Sequence, residues 1–129
     1  MTPRDEIDVP GQAPPISHYA HAVRATGALL FISGVVPVDE RGGLVGGDDV
    51  VERARAVFRN LAAVLEAGGA SFGDVVKVTV FLTNVDDRPL INPIRQEVFG
   101  RARPASTLVE VSRLAIPGAK IEVEAVAVV

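Results

Sequence analysis

Two helices cannot cover both faces of the sheet that this sequence encodes. Val75 to Leu82 reads as a strand with Val76, Val78, Val80 and Leu82 on one face and Val75, Lys77, Thr79 and Phe81 on the other. Residues 120–128 repeat the pattern, with Ile121, Val123 and Ala125 opposite Val126 and Val128. Leu29 to Val36 is apolar on both faces, which predicts a central strand. Only two segments have helical periodicity. Their burial protects one face and leaves a second apolar face bare. Another copy of the chain is the simplest cover, so the pattern predicts a homo-oligomer.

The clearer helix spans residues 49–67, where Val51, Ala54, Phe58, Leu61 and Leu65 form one stripe. Asp49 and Glu52 resemble a capping box, Gly68-Gly69 supplies the stop, and Arg53, Arg55 and Arg59 read as a solvated face. The second helix reads as one turn at Pro89, then a main body from Pro93 to Gly100 capped by Asn92. Tyr19–Arg24 and residues 29–36 suggest a hairpin turning at Thr26-Gly27. The last strands, 105–112 and 120–128, are joined through Pro117-Gly118. The order is β-β-α-β-α-β-β: an α+β fold with two helices on one face of a five- or six-stranded sheet. Residues 1–15 hold four prolines and predict a loose or extended arm; residues 16–129 form a single domain.

Composition narrows the chemistry. The chain of 129 residues has no cysteine, which excludes disulfides, thiol nucleophiles and thiolate metal sites. His18 and His21 are the only histidines and read as surface residues, so a histidine-rich metal site is not expected. Net charge is −3 with no basic run, and five Phe and one Tyr are the only aromatic residues, so nucleic acid is not an expected partner. No apolar run approaches the roughly 18 residues of a membrane span. No secretory signal is visible over residues 1–15, which leaves the cytoplasm as the expected location.

The residues able to do chemistry are few. Glu110, Glu122 and Glu124 lie within strands, and Glu122 and Glu124 share a face by their spacing. That face is either solvated, as on a protected edge strand, or lines a pocket. Tyr19, Ser33, Asn92, Ser106 and Thr107 sit at or near element ends. Asn92 is equally well explained as a helix cap. No catalytic triad, phosphate loop or metal motif is present.

Five stretches together resemble the RidA family, also called YjgF/YER057c/UK114. They are Ile16-Ser17-His18-Tyr19, Phe31 to Pro37, Asp74 to Leu82, Asn92 after Asp86-Asp87, and Pro104-Ala105 with Val109-Glu110-Val111 and Lys120 to Ala125. The resemblance runs from about Ile16 to Val129. It implies a chorismate-mutase-like fold, a homotrimer with inter-subunit clefts, and hydrolysis of small enamines and imines to oxo compounds and ammonia without a cofactor. By the same resemblance Glu122 positions the water, and Tyr19, Ser33, Asn92, Ser106 and Thr107 line the site. Deaminating members carry a carboxylate-binding arginine where Ser106 stands, which implies an altered substrate range. The alternative is a non-catalytic member that holds a small ligand or acts as a chaperone in the same cleft. A ribonuclease is the third reading, and the acidic charge and few aromatics disfavour it.

Overall fold

The computed structural model describes residues 4–129. Its elements in chain order are β1 (Arg4–Ile7), β2 (Ala22–Ala25), β3 (Leu29–Val35), α1 (Val50–Ala67), β4 (Val75–Leu82), α2 (Arg88–Phe99), β5 (Ala105–Glu110) and β6 (Ile121–Val128). The fold is α+β with two helices. The strands form two sheets rather than one. A main sheet has the order β3-β6-β4-β5, and β1 pairs with β2 separately. The main sheet is mixed: β4 runs parallel to β5 and antiparallel to β6.

Both helices pack on one face of the main sheet. Val57, Leu61 and Leu65 of α1 and Ile91 and Ile94 of α2 meet Val78, Val80, Ile121 and Val123 in one cluster. Each of these aliphatic side chains contributes about 1.5–3 kcal/mol by leaving water. Phe58, Phe72 and Phe99 close one end of the cluster, with ring centroids 5.3–6.4 Å apart. The Asp49 carboxylate accepts the Val51 amide at 2.9 Å and starts α1. Glu52 completes no box; it turns to Arg55 instead. Gly69, at φ 79°, takes the left-handed conformation that ends the helix.

Several sequence expectations change. β2 and β3 do not form a hairpin, because β2 pairs with β1. β3 is an edge strand, not a central one. Its outward Leu29 and Phe31 are 59% and 73% exposed, so its two apolar faces reflect a missing cover and not a central place. β5 and β6 are not neighbours, since β4 lies between them. A register shift between Val75 and Lys77 moves Val75 onto the buried face with Val78, Val80 and Leu82, and leaves Val76 half-buried. Arg53 is buried, not solvated, and its guanidinium donates to the Gly47 carbonyl. α2 starts at Arg88 and runs through Pro93 as one helix. Pro93 forgoes one amide hydrogen bond, and burial of Ile91, Ile94 and Phe99 offsets that loss.

The expected loose arm also differs. Residues 1–3 of it lie outside the described residues, but Arg4–Ile7 form β1. Arg103 holds this strand, its guanidinium reaching Glu6 at 3.1 Å and Asp8 at 2.7 Å. His21 accepts the Val9 amide at 2.8 Å, and its other ring nitrogen meets the Ala13 carbonyl. The hydrogen bond from Arg103 lowers the Asp8 pKa below its ordinary 3.8. A lowered acid adds stability that is present above its ordinary value and lost as pH falls through its lowered folded value. Hydrogen-exchange protection of the β1 amides is therefore predicted to hold at neutral pH and to fade below about pH 4. Arg103→Ala should remove it at every pH; unchanged protection in that variant would refute this account of the arm.

Candidate active site

A cavity of about 460 Å³ opens where α2, the segment before β2 and the edge strand β5 meet. Ser17, Tyr19, Asp86, Arg88, Arg95 and Ser106 supply its polar lining. β5 runs parallel to β4 with Val78 opposite Ser106 and Val80 opposite Leu108. Val78 and Val80 are buried under the helices, so Ser106 and Leu108 face the helix side too. Above them lies α2. Arg88, Asn92 and Arg95 recur at spacings of four and three and share one stripe of it.

Arg95 is the most buried of these charged groups, 1% exposed. Its Nη2 donates to Ser106 Oγ at 2.8 Å, its one hydrogen bond among the described residues. Its Nε is buried without an acceptor, and no carboxylate lies within ion-pairing distance among the described residues. Burial pushes the guanidinium down to about 10, with Tyr19 opposing that shift. Arg95 therefore stays cationic at neutral pH. Asn92 is not a helix cap, because α2 begins four residues earlier. Its Nδ2 donates to Ser17 Oγ at 3.2 Å, and its Oδ1 is buried with no partner. Two orphaned polar atoms on one stripe are unusual in a folded interior.

The other predicted residues lie elsewhere. Glu122 pairs with Phe81 and Glu124 with Thr79, on the sheet face away from the helices. Thr107 is on that outer face as well, where Lys77 Nζ donates to its hydroxyl at 2.8 Å. The Glu122 carboxylate lies over Gly34 and has no hydrogen-bonding partner among the described residues. A Cβ at position 34 would stand 2.8 Å from the Glu122 carboxylate carbon, so glycine is what admits it. Ser33 lines a separate recess along β3 with Gly34 and Asn60. β3 and β5 are opposite edges of the main sheet. Three strand spacings, about 14 Å, separate them. One chain thus holds two separate groups of candidate residues: Tyr19, Asn92, Arg95 and Ser106 at one edge, Ser33, Gly34 and Glu122 toward the other. Glu110 belongs to neither; it accepts the Val85 amide at 3.1 Å.

The family model described as Endoribonuclease L-PSP matches residues 10–129. The chain belongs to this family, the RidA/YjgF group. A RutC family protein of Pyrococcus horikoshii is 42% identical over 113 residues, 88% of each chain. A protein of Dermatophagoides farinae named 2-iminobutanoate/2-iminopropanoate deaminase is 34% identical over 129 residues, 100% of this chain and 99% of that one. The crystal structure of YyfB from Yersinia pestis, a Rid family protein, has a TM-score of 0.91 at 30% identity over 98% of both chains. Among the described residues, no cluster of three or more His, Cys, Asp or Glu could hold a metal, and no helix is long and apolar enough to cross a membrane.

For this RidA-family chain, sequence reasoning missed Arg95 and Arg88. Starting the helix at Pro93 hid the Arg88–Asn92–Arg95 stripe, which a helix from Arg88 makes visible at once. Lowering an arginine from its ordinary range to about 10 corresponds to about 3 kcal/mol of unfavourable burial. Replacing such a charge with an apolar residue of similar size is often stabilising by about 1–4 kcal/mol. Arg95→Met is accordingly predicted to unfold at a higher temperature than the wild type. A lower melting temperature would mean that Arg95 serves stability.

Proposed function

We propose that the protein hydrolyses small imines and enamines, releasing ammonia, at clefts formed between copies of the chain in a homotrimer. The observation that carries this reading is the unpaired Glu122 carboxylate, seated over Gly34 on the uncovered face. A carboxylate free of cations keeps its lone pairs for a water molecule. Glu122 takes a proton from that water as it adds to the imine carbon and returns it to the nitrogen; the resulting carbinolamine collapses, its hydroxyl proton passing to the nitrogen as the C–N bond breaks and the C=O bond forms, releasing ammonia. A second copy laid against the β5 edge brings its own Glu122 and Ser33 toward the cavity of Tyr19, Asn92 and Ser106. The same contact covers the docked copy's own Leu29 and Phe31, which a single chain leaves in water, and in a closed ring every copy is covered in turn. Relatives named for imine deamination support the chemistry, one matching along the whole chain. The net charge of −3, the lack of a basic run and the few aromatic residues along the chain argue against an RNA substrate.

Ammonia release from enzymatically generated 2-iminobutanoate tests the reading. Glu122→Gln should lower the rate by about 100-fold or more. Gly34→Ala should act in the same direction without unfolding the protein, because its Cβ displaces only the end of the Glu122 side chain. A Glu122→Gln protein as fast as the wild type would overturn the proposal.

A further inference from the structure

We propose that Arg95, presented by α2 and oriented by Ser106, is the residue that binds the carboxylate of a small anionic substrate. This deepens the imine-hydrolase reading and rests on it for the substrate's identity, though not for the binding of a carboxylate. The other paired or buried arginines show how this chain ordinarily satisfies the group. Arg4 has Glu6 and the Val75 carbonyl, Arg103 has Glu6 and Asp8, and Arg55 has Glu52 and Glu97; the buried Arg53 has two donors on the Gly47 carbonyl, though its Nη1, like the Nε of Arg4, is buried without a partner among the described residues. Arg95 is buried more deeply than any of these, yet its one hydrogen bond goes to a neutral hydroxyl. A buried cation without a counter-ion is costly to fold around. An incoming carboxylate removes that cost by accepting from the fork of the guanidinium.

The surroundings fit an anion of modest size. Arg95 and Arg88 outnumber the one acidic residue in the lining, Asp86, which hydrogen-bonds through its backbone amide to Asn84. The Ser106 hydroxyl fixes one edge of the guanidinium at 2.8 Å, and both residues line the cavity. The cavity, about 460 Å³, exceeds what a four-carbon acid fills, leaving room for the reacting end and for groups from a second copy. Tyr19 lines the same cavity as Arg95.

Calorimetric titration of the full-length protein with 2-oxobutanoate, with neutral 2-butanone as the comparison, tests the assignment. The wild type should prefer the acid. Arg95→Met should lose roughly ten- to a hundredfold in affinity for the acid and nothing for the ketone, the scale of one charge-assisted pair. Arg95→Lys should fall between, because it keeps the charge without the fork. Ser106→Arg added to Arg95→Met should restore part of the affinity by returning a guanidinium to the same cavity from β5. Unchanged acid binding in Arg95→Met, or in Arg95→Lys if the Met variant does not fold, overturns the assignment. Ammonia release measured in parallel separates the two proposals. Arg95-dependent acid binding without turnover leaves this assignment standing and removes the hydrolase reading. Turnover with an unchanged KM in Arg95→Met does the reverse.

Discussion

The sheet has helices on one face and none on the other, and the placement of the candidate site residues follows from that asymmetry. Side chains on paired strands alternate strictly, so Val78, Val80 and Val123 go under the helices while Phe81, Glu122 and Glu124 go outward. Ser106 follows the first set and Glu122 the second. No rotamer change brings them together within a chain. If they act on one substrate, they must come from two copies, and the same docking would bury the exposed Leu29 and Phe31. On this account, assembly and active-site formation are one event.

The second organising feature is charge left deliberately uncompensated. Among the described residues, Arg95 is buried without a carboxylate partner and Glu122 is seated over Gly34 without a cation. Each is costly or idle in the isolated chain. Each makes sense as half of a site that receives a carboxylate at one end and a water at the other. The orphaned Oδ1 of Asn92, one helical turn from Arg95, fits the same description.

Much of this was legible in the sequence where the determinants are local. The stripe of α1 and the alternation of β4 place both elements within a residue or so. The bare apolar face is visible from counting helices against strands. What escaped depends on distant partners. β1 is proline-flanked and looks unstructured until Arg103, 97 residues away in sequence, is set beside Glu6. β3 reads as central because its apolar outer face implies burial that a single chain does not provide. At the site, Tyr19 and Ser106 line the cavity and Asn92 adjoins it, whereas Ser33, Thr107 and Glu122 lie on other surfaces. Arg95 was missed because Pro93 suggests a helix start, and a helix begun there hides the residues that share its stripe.

The claim that two chains build each site is tested most directly by complementation. Glu122→Gln and Arg95→Met proteins are each purified, then mixed, unfolded and refolded together, and ammonia release is compared with that of each alone. The account predicts that mixed assemblies recover a substantial part of wild-type activity, because some clefts then pair an intact Arg95 from one chain with an intact Glu122 from another. No recovery above the two parents, in assemblies shown to contain both chains, would contradict it.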